Sequence, residues 1–143
     1  MYTKQEISKQ KQAFWTAFGR YMKPVLSADG EEINWINYKT GNKHVSFKME
    51  VDREQAYIAI VVQDADAEAQ QLLFDRFLTL KAIFYETMEE ENWTWGTGII
   101  EKRLSGVNIF KNEDWPAIIS FLKPRIIGLD AFWSLVRYQM AGV

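Results

Sequence analysis

Two rhythms of apolar positions divide the chain. Over residues 4–22, Ile7, Phe14, Phe18 and Tyr21 recur at helical spacing, with Trp15 and Met22 widening the stripe. Thr3-Lys4-Gln5-Glu6 ahead of it has the form of a capping box, in which a hydroxyl and a carboxylate satisfy the free amides of a helix start. Pro24 closes the helix, since its ring steers Lys23 away from the α region. Ser27-Ala28-Asp29-Gly30 reads as a loop.

The period then shortens to two. Residues 33–38 predict a first strand, leading into Thr40-Gly41-Asn42, a hairpin connection in which Gly or Asn takes positive φ. Val45, Phe47, Met49 and Val51 alternate with His44, Ser46, Lys48 and Glu50, the signature of a strand with one buried face. Asp52-Arg53-Glu54-Gln55 turns the chain. Residues 56–63 are the most apolar strand, with Ile58, Ile60 and Val62 on one face and Tyr57, Ala59 and Val61 on the other, so they are expected at the centre of the sheet.

Residues 66–91 predict one long helix with two apolar stripes, Leu73, Phe77, Leu80 and Phe84 beside Phe74, Leu78, Tyr85 and Met88. Glu89-Glu90-Glu91 opposes the dipole at its C-terminus and predicts fraying. Trp93 and Trp95 share a face of a further strand that contains Gly96 and Gly98, where a bulge or a close backbone approach is expected. Ser105-Gly106 turns into a short strand over 107–110. A last helix opens around Asn112 to Pro116, and Pro124 is expected to kink or split it. The prediction is one α+β domain over residues 1–143 in the order α-β-β-β-α-β-β-α, a mainly antiparallel sheet of about five strands packed with three helices.

Composition adds aromatic mass to this picture. Six Trp, six Tyr and nine Phe among 143 residues, each able to bury roughly 150–250 Å², imply a core that is large for the length. Apolar positions nearly encircle the last helix, and that surplus predicts a homodimer surface at Phe121, Phe132, Trp133 and Tyr138.

The net charge of −2 argues against binding nucleic acid through overall charge, but its distribution is uneven. Lys4, Lys9, Lys11, Arg20 and Lys23 face only Glu6 in the first 23 residues, whereas residues 64–92 are strongly acidic. Two solvated helix faces of opposite sign, or a basic ligand-binding arm, both fit that pattern.

Candidate chemistry is sparse. With no cysteine there is no disulfide scaffold, thiol nucleophile or thiolate zinc site, and the single histidine, His44, leaves little for other metal ligation. No catalytic residue, metal or cofactor is expected. Lysines interrupt the apolar stretches of the N-terminal region, and no apolar run approaches the ~18 residues of a membrane span. A cytoplasmic protein without membrane contact is the expectation. Hydrolase and phosphate-loop signatures are absent; Gly96-Thr97-Gly98 lacks the third glycine and following helix. Glu50 with Asp52, and Glu101, are the carboxylates at strand ends where a site would form.

The order α-β-β-β-α-β is also that of restriction-type nuclease cores, which resemble one another in an Asp on the second strand and an acidic-x-Lys tripeptide on the third that hold a divalent metal. Here the third strand, residues 56–63, has neither acid nor lysine, and the second offers Lys48-Met49-Glu50 in reversed order. The face opposite the core remains: Trp35, Asn37, Lys39, His44, Lys48, Glu50 and Tyr57 form a candidate binding face, or a solvated antiparallel surface.

Several stretches carry a family likeness together: Phe14-Trp15-Thr16-Ala17-Phe18-Gly19-Arg20-Tyr21-Met22 with Pro24, residues 33–41, Asp114-Trp115-Pro116 and Leu129-Asp130-Ala131-Phe132-Trp133. Across nearly the whole chain it resembles a family of small bacterial proteins known as domain of unknown function 4268. The resemblance implies a stand-alone bacterial protein, and relatives fused behind nuclease-like regions hint at defence or DNA processing. It brings no catalytic residues to carry over. Two functional expectations follow: a non-enzymatic binding or protein-interaction module, dimeric and with an unidentified ligand, or a nucleic-acid-processing accessory using the basic first helix.

Overall fold

The computed structural model describes residues 3–141; the first two and the last two residues of the expected 1–143 domain lie outside them. Helix α1, Lys4–Met22, starts as the capping pattern requires, with the Thr3 hydroxyl accepting from the Glu6 amide at 3.1 Å. Phe14, Phe18 and Met22 turn inward, whereas Tyr21 is exposed. Lys23 keeps helical angles (φ −53°, ψ −42°) and donates to the Gly19 carbonyl at 2.9 Å, so the helix is not bent away before Pro24. It stops because the proline has no N–H to continue the ladder.

Residues 33–38 are not a strand. The Asn34 side-chain oxygen accepts from the amides of Ile36 and Asn37, both at 3.1 Å, a local turn that takes backbone donors a ladder would need. Residues 24–44 are instead an irregular strap across the helices. Removing that strand also removes the α-β-β-β-α-β order on which the nuclease comparison rested.

Strands β1, Val45–Val51, and β2, Gln55–Val62, form a hairpin. Asp52 Oδ1 closes its turn by accepting from the Glu54 and Gln55 amides at 2.8 and 3.0 Å. The alternation reads directly into burial: Val45 and Val51 lie inside, Ser46, Lys48 and Glu50 outside. The long helix predicted over 66–91 is two, α2 (Ala67–Thr79) and α3 (Lys81–Met88). They meet at Leu80, whose φ of −102° and ψ of 13° leave the helical region, while the Thr79 hydroxyl donates to the Arg76 carbonyl at 2.7 Å. The change of direction places Phe84 against Trp93, Trp95 and Phe132 at 5.1–5.6 Å between ring centres. Glu89 ends α3 in the left-handed region (φ 58°).

Strands β3, Thr94–Gly96, and β4, Ile99–Ser105, are a second hairpin, so Gly96 and Gly98 lie at a turn rather than inside one strand. The close approach expected there is present at Gly98: a Cβ on it would stand 2.9 Å from the Val62 carbonyl oxygen. Residues 107–110 form no strand, and Ile109 donates to Asp52 O at 3.0 Å as the segment crosses the first hairpin. After a 3₁₀ turn, helix α4, Trp115–Met140, runs unsplit through Pro124.

Among the described residues the sheet has four antiparallel strands in the order β1-β2-β4-β3, fewer than the expected five, and the chain forms four α-helices rather than three. Class and central strand are as predicted. Helices α4 and α2 pack on β2, and Ile58, Ile60 and Ile100 meet Phe14, Phe18, Phe77 and Phe132 in one fully buried cluster. Among the described residues no helix is long and apolar enough to cross a membrane.

Candidate functional site

In α4, Ile126, Leu129, Trp133 and Val136 turn into the core, and Asp130 lies in the same stripe, 5% exposed. A carboxylate there is costly unless its lone pairs are used. Asp130 Oδ2 accepts from the Ala28 amide at 2.7 Å and Oδ1 from the Tyr38 hydroxyl at 2.5 Å. Burial, reinforced by the hydrogen bond and negative charge of Asp130, pushes the Tyr38 hydroxyl far above its ordinary pKa, so it stays a donor. Trp133 Nε1 donates to Thr40 O at 2.7 Å, and Trp35 Nε1 to Val25 O at 3.0 Å. Four side chains of the family-like stretches thus fasten the strap: Tyr38, Asp130 and Trp133 join it to α4, and Trp35 ties it to itself.

Between strap and α4 opens a cleft of about 500 Å³. Asp29, Glu31, Asn34, Asn37, Lys39 and Arg137 line it, with Tyr38 and Asp130. Arg137 pairs with Asp29 at 3.4 Å and donates to the Tyr138 hydroxyl at 3.2 Å. Asp29 also accepts from the Ser134 hydroxyl at 2.9 Å. The side chains of Glu31, Asn37 and Lys39 are exposed and hold no hydrogen bond or ion pair to other described residues.

The predicted binding face is therefore dispersed. Trp35 is in the core, Asn37 and Lys39 line the cleft, and none of the three lies on the sheet. His44 stands at the end of β1, its Nδ1 3.0 Å from Gln63 O and its Nε2 3.4 Å from Asp64. Lys48, Glu50 and Tyr57 do come together on the sheet face away from the helices, where Glu50 pairs with Tyr57 across the strands. Burial tends to raise the Glu50 pKa, but hydrogen bonds from Lys48, 3.1 Å away, and Tyr57 outweigh it and leave the carboxyl below its ordinary value. Arg103, opposite Tyr57 on β4, lies 4.9 Å from the ring centre and grips Glu101 at 3.0 and 3.3 Å. These charges satisfy one another, as on a solvated face.

Of the predicted dimer surface, Phe121, Phe132 and Trp133 are inside the protein's own core, and only Tyr138 is outside, 76% exposed. The sheet and α3 absorb the aromatic surplus that the helix pattern left unpartnered. Asp130, Arg137 and Asp29 escaped the sequence reading. Asp130 had a signal, a lone carboxylate at an apolar position of the last helix; Asp29 and Arg137 had none, because 108 positions separate them.

Among the described residues no group of three or more His, Asp or Glu side chains is placed to hold a metal ion. The family described as a domain of unknown function (DUF4268) matches residues 10–137 of the 143. No curated protein and no solved structure matches the chain.

Proposed function

The chain belongs to the DUF4268 family, and from its geometry we propose that it is a binding module taking a small polar ligand in the cleft between residues 27–39 and α4. The observation that carries this reading is the set of uncommitted groups, Glu31, Asn37 and Lys39, on the wall of a cavity whose floor is held rigid by Asp130. A volume of about 500 Å³ is within the range of small-molecule sites, roughly 300–1,000 Å³. Beside the Arg137–Asp29 pair and the hydrogen-bonded Asp130, one cation, Lys39, and one carboxylate, Glu31, stand without an ion-pair partner among the described residues, which suits a zwitterion better than a singly charged ligand. Binding is favoured over catalysis because the cleft hydroxyls are committed, Tyr38 to Asp130 and Ser27 to the Glu31 amide at 3.1 Å.

The test is an amide NMR screen against free amino acids and dipeptides at millimolar concentration. Shifts should cluster at Asn37, Lys39 and Arg137, and Lys39→Ala should weaken binding about tenfold without moving the melting temperature. Shifts confined to Lys48, Tyr57 and Arg103, or none across the panel, would refute the assignment. A second reading, a nucleic-acid accessory, draws support from a shallow groove where Lys9, Gln12, Thr16 and Arg20 of α1 flank Trp115 at the start of α4. It requires binding that weakens steeply with salt and is lost in Lys9→Glu/Arg20→Glu.

A further inference from the structure

Strand β1 is the outermost strand on its side of the sheet, and its backbone hydrogen bonds to β2 follow a strict alternation. Gln63 donates to His44 O at 2.9 Å at one end of the ladder, and Asp52 donates to Gln55 O at 2.9 Å at the other. The same phase makes Ser46, Lys48 and Glu50 the residues that exchange bonds with Val61, Ala59 and Tyr57. The N–H and C=O groups of Phe47, Met49 and Val51 therefore point away from the sheet. Among the described residues no hydrogen bond reaches them. Val45 differs, since its amide donates to Asn42 O at 3.1 Å and its carbonyl accepts from the Thr40 hydroxyl at 2.7 Å. The strap thus closes the edge at Val45 and leaves it open beyond.

We propose that this edge is the contact of a homodimer, in which β1 of a second copy adds antiparallel across a two-fold axis at Met49 and joins the two sheets into one. Symmetry and charge together select that occupant and that register. A two-fold axis at Met49 pairs Met49 with its copy and Phe47 with the second copy's Val51, so the three outward-facing residues use one another's groups with none left over. It also sets Lys48 opposite the second copy's Glu50, twice, in the positions where cross-strand side chains come closest.

Every other two-fold register conflicts. An axis at Lys48 or at Glu50 sets that charge against its own copy. One at Val51 sets Glu50 against Asp52, and one at Phe47 needs the groups of Val45, which the strap already holds. A lysine on an edge strand ordinarily discourages pairing with other chains; against a copy of this chain it is complementary. Lys48 and Glu50 are half exposed, at 51% and 54%, and free to exchange their intrachain contact for the one across the axis.

Sedimentation equilibrium between 1 and 200 µM tests the proposal. The expected species is a dimer of the 16.8 kDa chain. Lys48→Glu should weaken association at least tenfold, and Lys48→Glu/Glu50→Lys should restore it, with circular dichroism unchanged in both. Met49→Pro, which removes an outward N–H without touching the bonds to β2, should give a monomer. A wild-type monomer at 200 µM, or a dimer indifferent to Lys48→Glu and Met49→Pro, would overturn the proposal. So would an edge that binds extended peptides but not its own copy. Cleft variants such as Lys39→Ala should leave the dimer intact, so this contact and the ligand site stand or fall separately.

Discussion

At the scale of single residues, Asp130 is the joint between strap and helix. Replacing it with Ala leaves the Ala28 amide and the Tyr38 hydroxyl without their acceptor, and each stranded polar group costs about 1–3 kcal/mol. Asp130→Ala should therefore lose about 2–4 kcal/mol in urea denaturation. Tyr38→Phe should lose less, and the double variant less than the sum. The raised pKa of Tyr38 also has a sign in pH. The unfolded chain gives up the phenol proton near the ordinary value of about 10 while the folded chain keeps it, so the contribution is complete below that pH and declines as pH rises above it. The alkaline loss of stability should be shallower in Tyr38→Phe than in the parent, read as denaturation midpoints between pH 9 and 11.

The tryptophans separate in the same way. Trp133 Nε1 donates to the Thr40 carbonyl, whereas Trp93 Nε1 is buried without a hydrogen-bond partner among the described residues. Trp133→Phe should cost about 1–3 kcal/mol more than its lost packing, and Trp93→Phe no such excess; thermal melts of the two variants provide the comparison. The sequence put Trp133 on a dimer surface instead of in the core, and its indole partner was not legible either, since Thr40 lies 93 positions away.

At the scale of elements, the places where prediction and structure part have local causes. Residues 33–38 look extended by composition, yet Asn34 supplies its own turn and Trp35 an inward anchor. The helix over 66–91 has an unbroken apolar stripe, and its interruption at Leu80 follows from the Thr79 hydroxyl competing for a carbonyl and from the pull of Phe84 toward Phe132 and the two tryptophans. Gly98 is the converse case, where the expected close approach is real. Gly98→Ala combines a φ of 71° with a Cβ 2.9 Å from Val62 O, whereas Gly41→Ala meets a similar φ in open space. The first should cost more than about 2 kcal/mol and the second about 1–2 kcal/mol, the ordinary penalty of the left-handed region. Chemical denaturation of the pair measures the difference.

At the scale of the whole molecule, the strap is a unit held by a few long-range bonds, not by a ladder. Amide hydrogen exchange should show this as two levels of protection, with residues 24–44 opening before the β2 and β4 amides. In Asp130→Ala the strap should exchange at least tenfold faster while β2 keeps its protection relative to global unfolding. Uniform acceleration across the chain would mean that the strap and the sheet open together. The cleft exists only because the strap is held in place, so a ligand bound there should slow strap exchange in the parent and not in that variant.

Class, the capped first helix, the β1–β2 hairpin and the central position of β2 were all determined by the sequence itself, because each rests on interactions within about a dozen residues or on a period that local backbone geometry imposes. Where the apolar surplus of α4 goes, which polar residues share a cleft and which backbone groups are left at an open edge were decided by tertiary structure. Those outcomes depend on pairs such as Tyr38 with Asp130 and Asp29 with Arg137, separated by roughly a hundred positions and brought together only when the strap lies down on the helix. Periodicity states which side of an element is buried; it carries no information about what covers it.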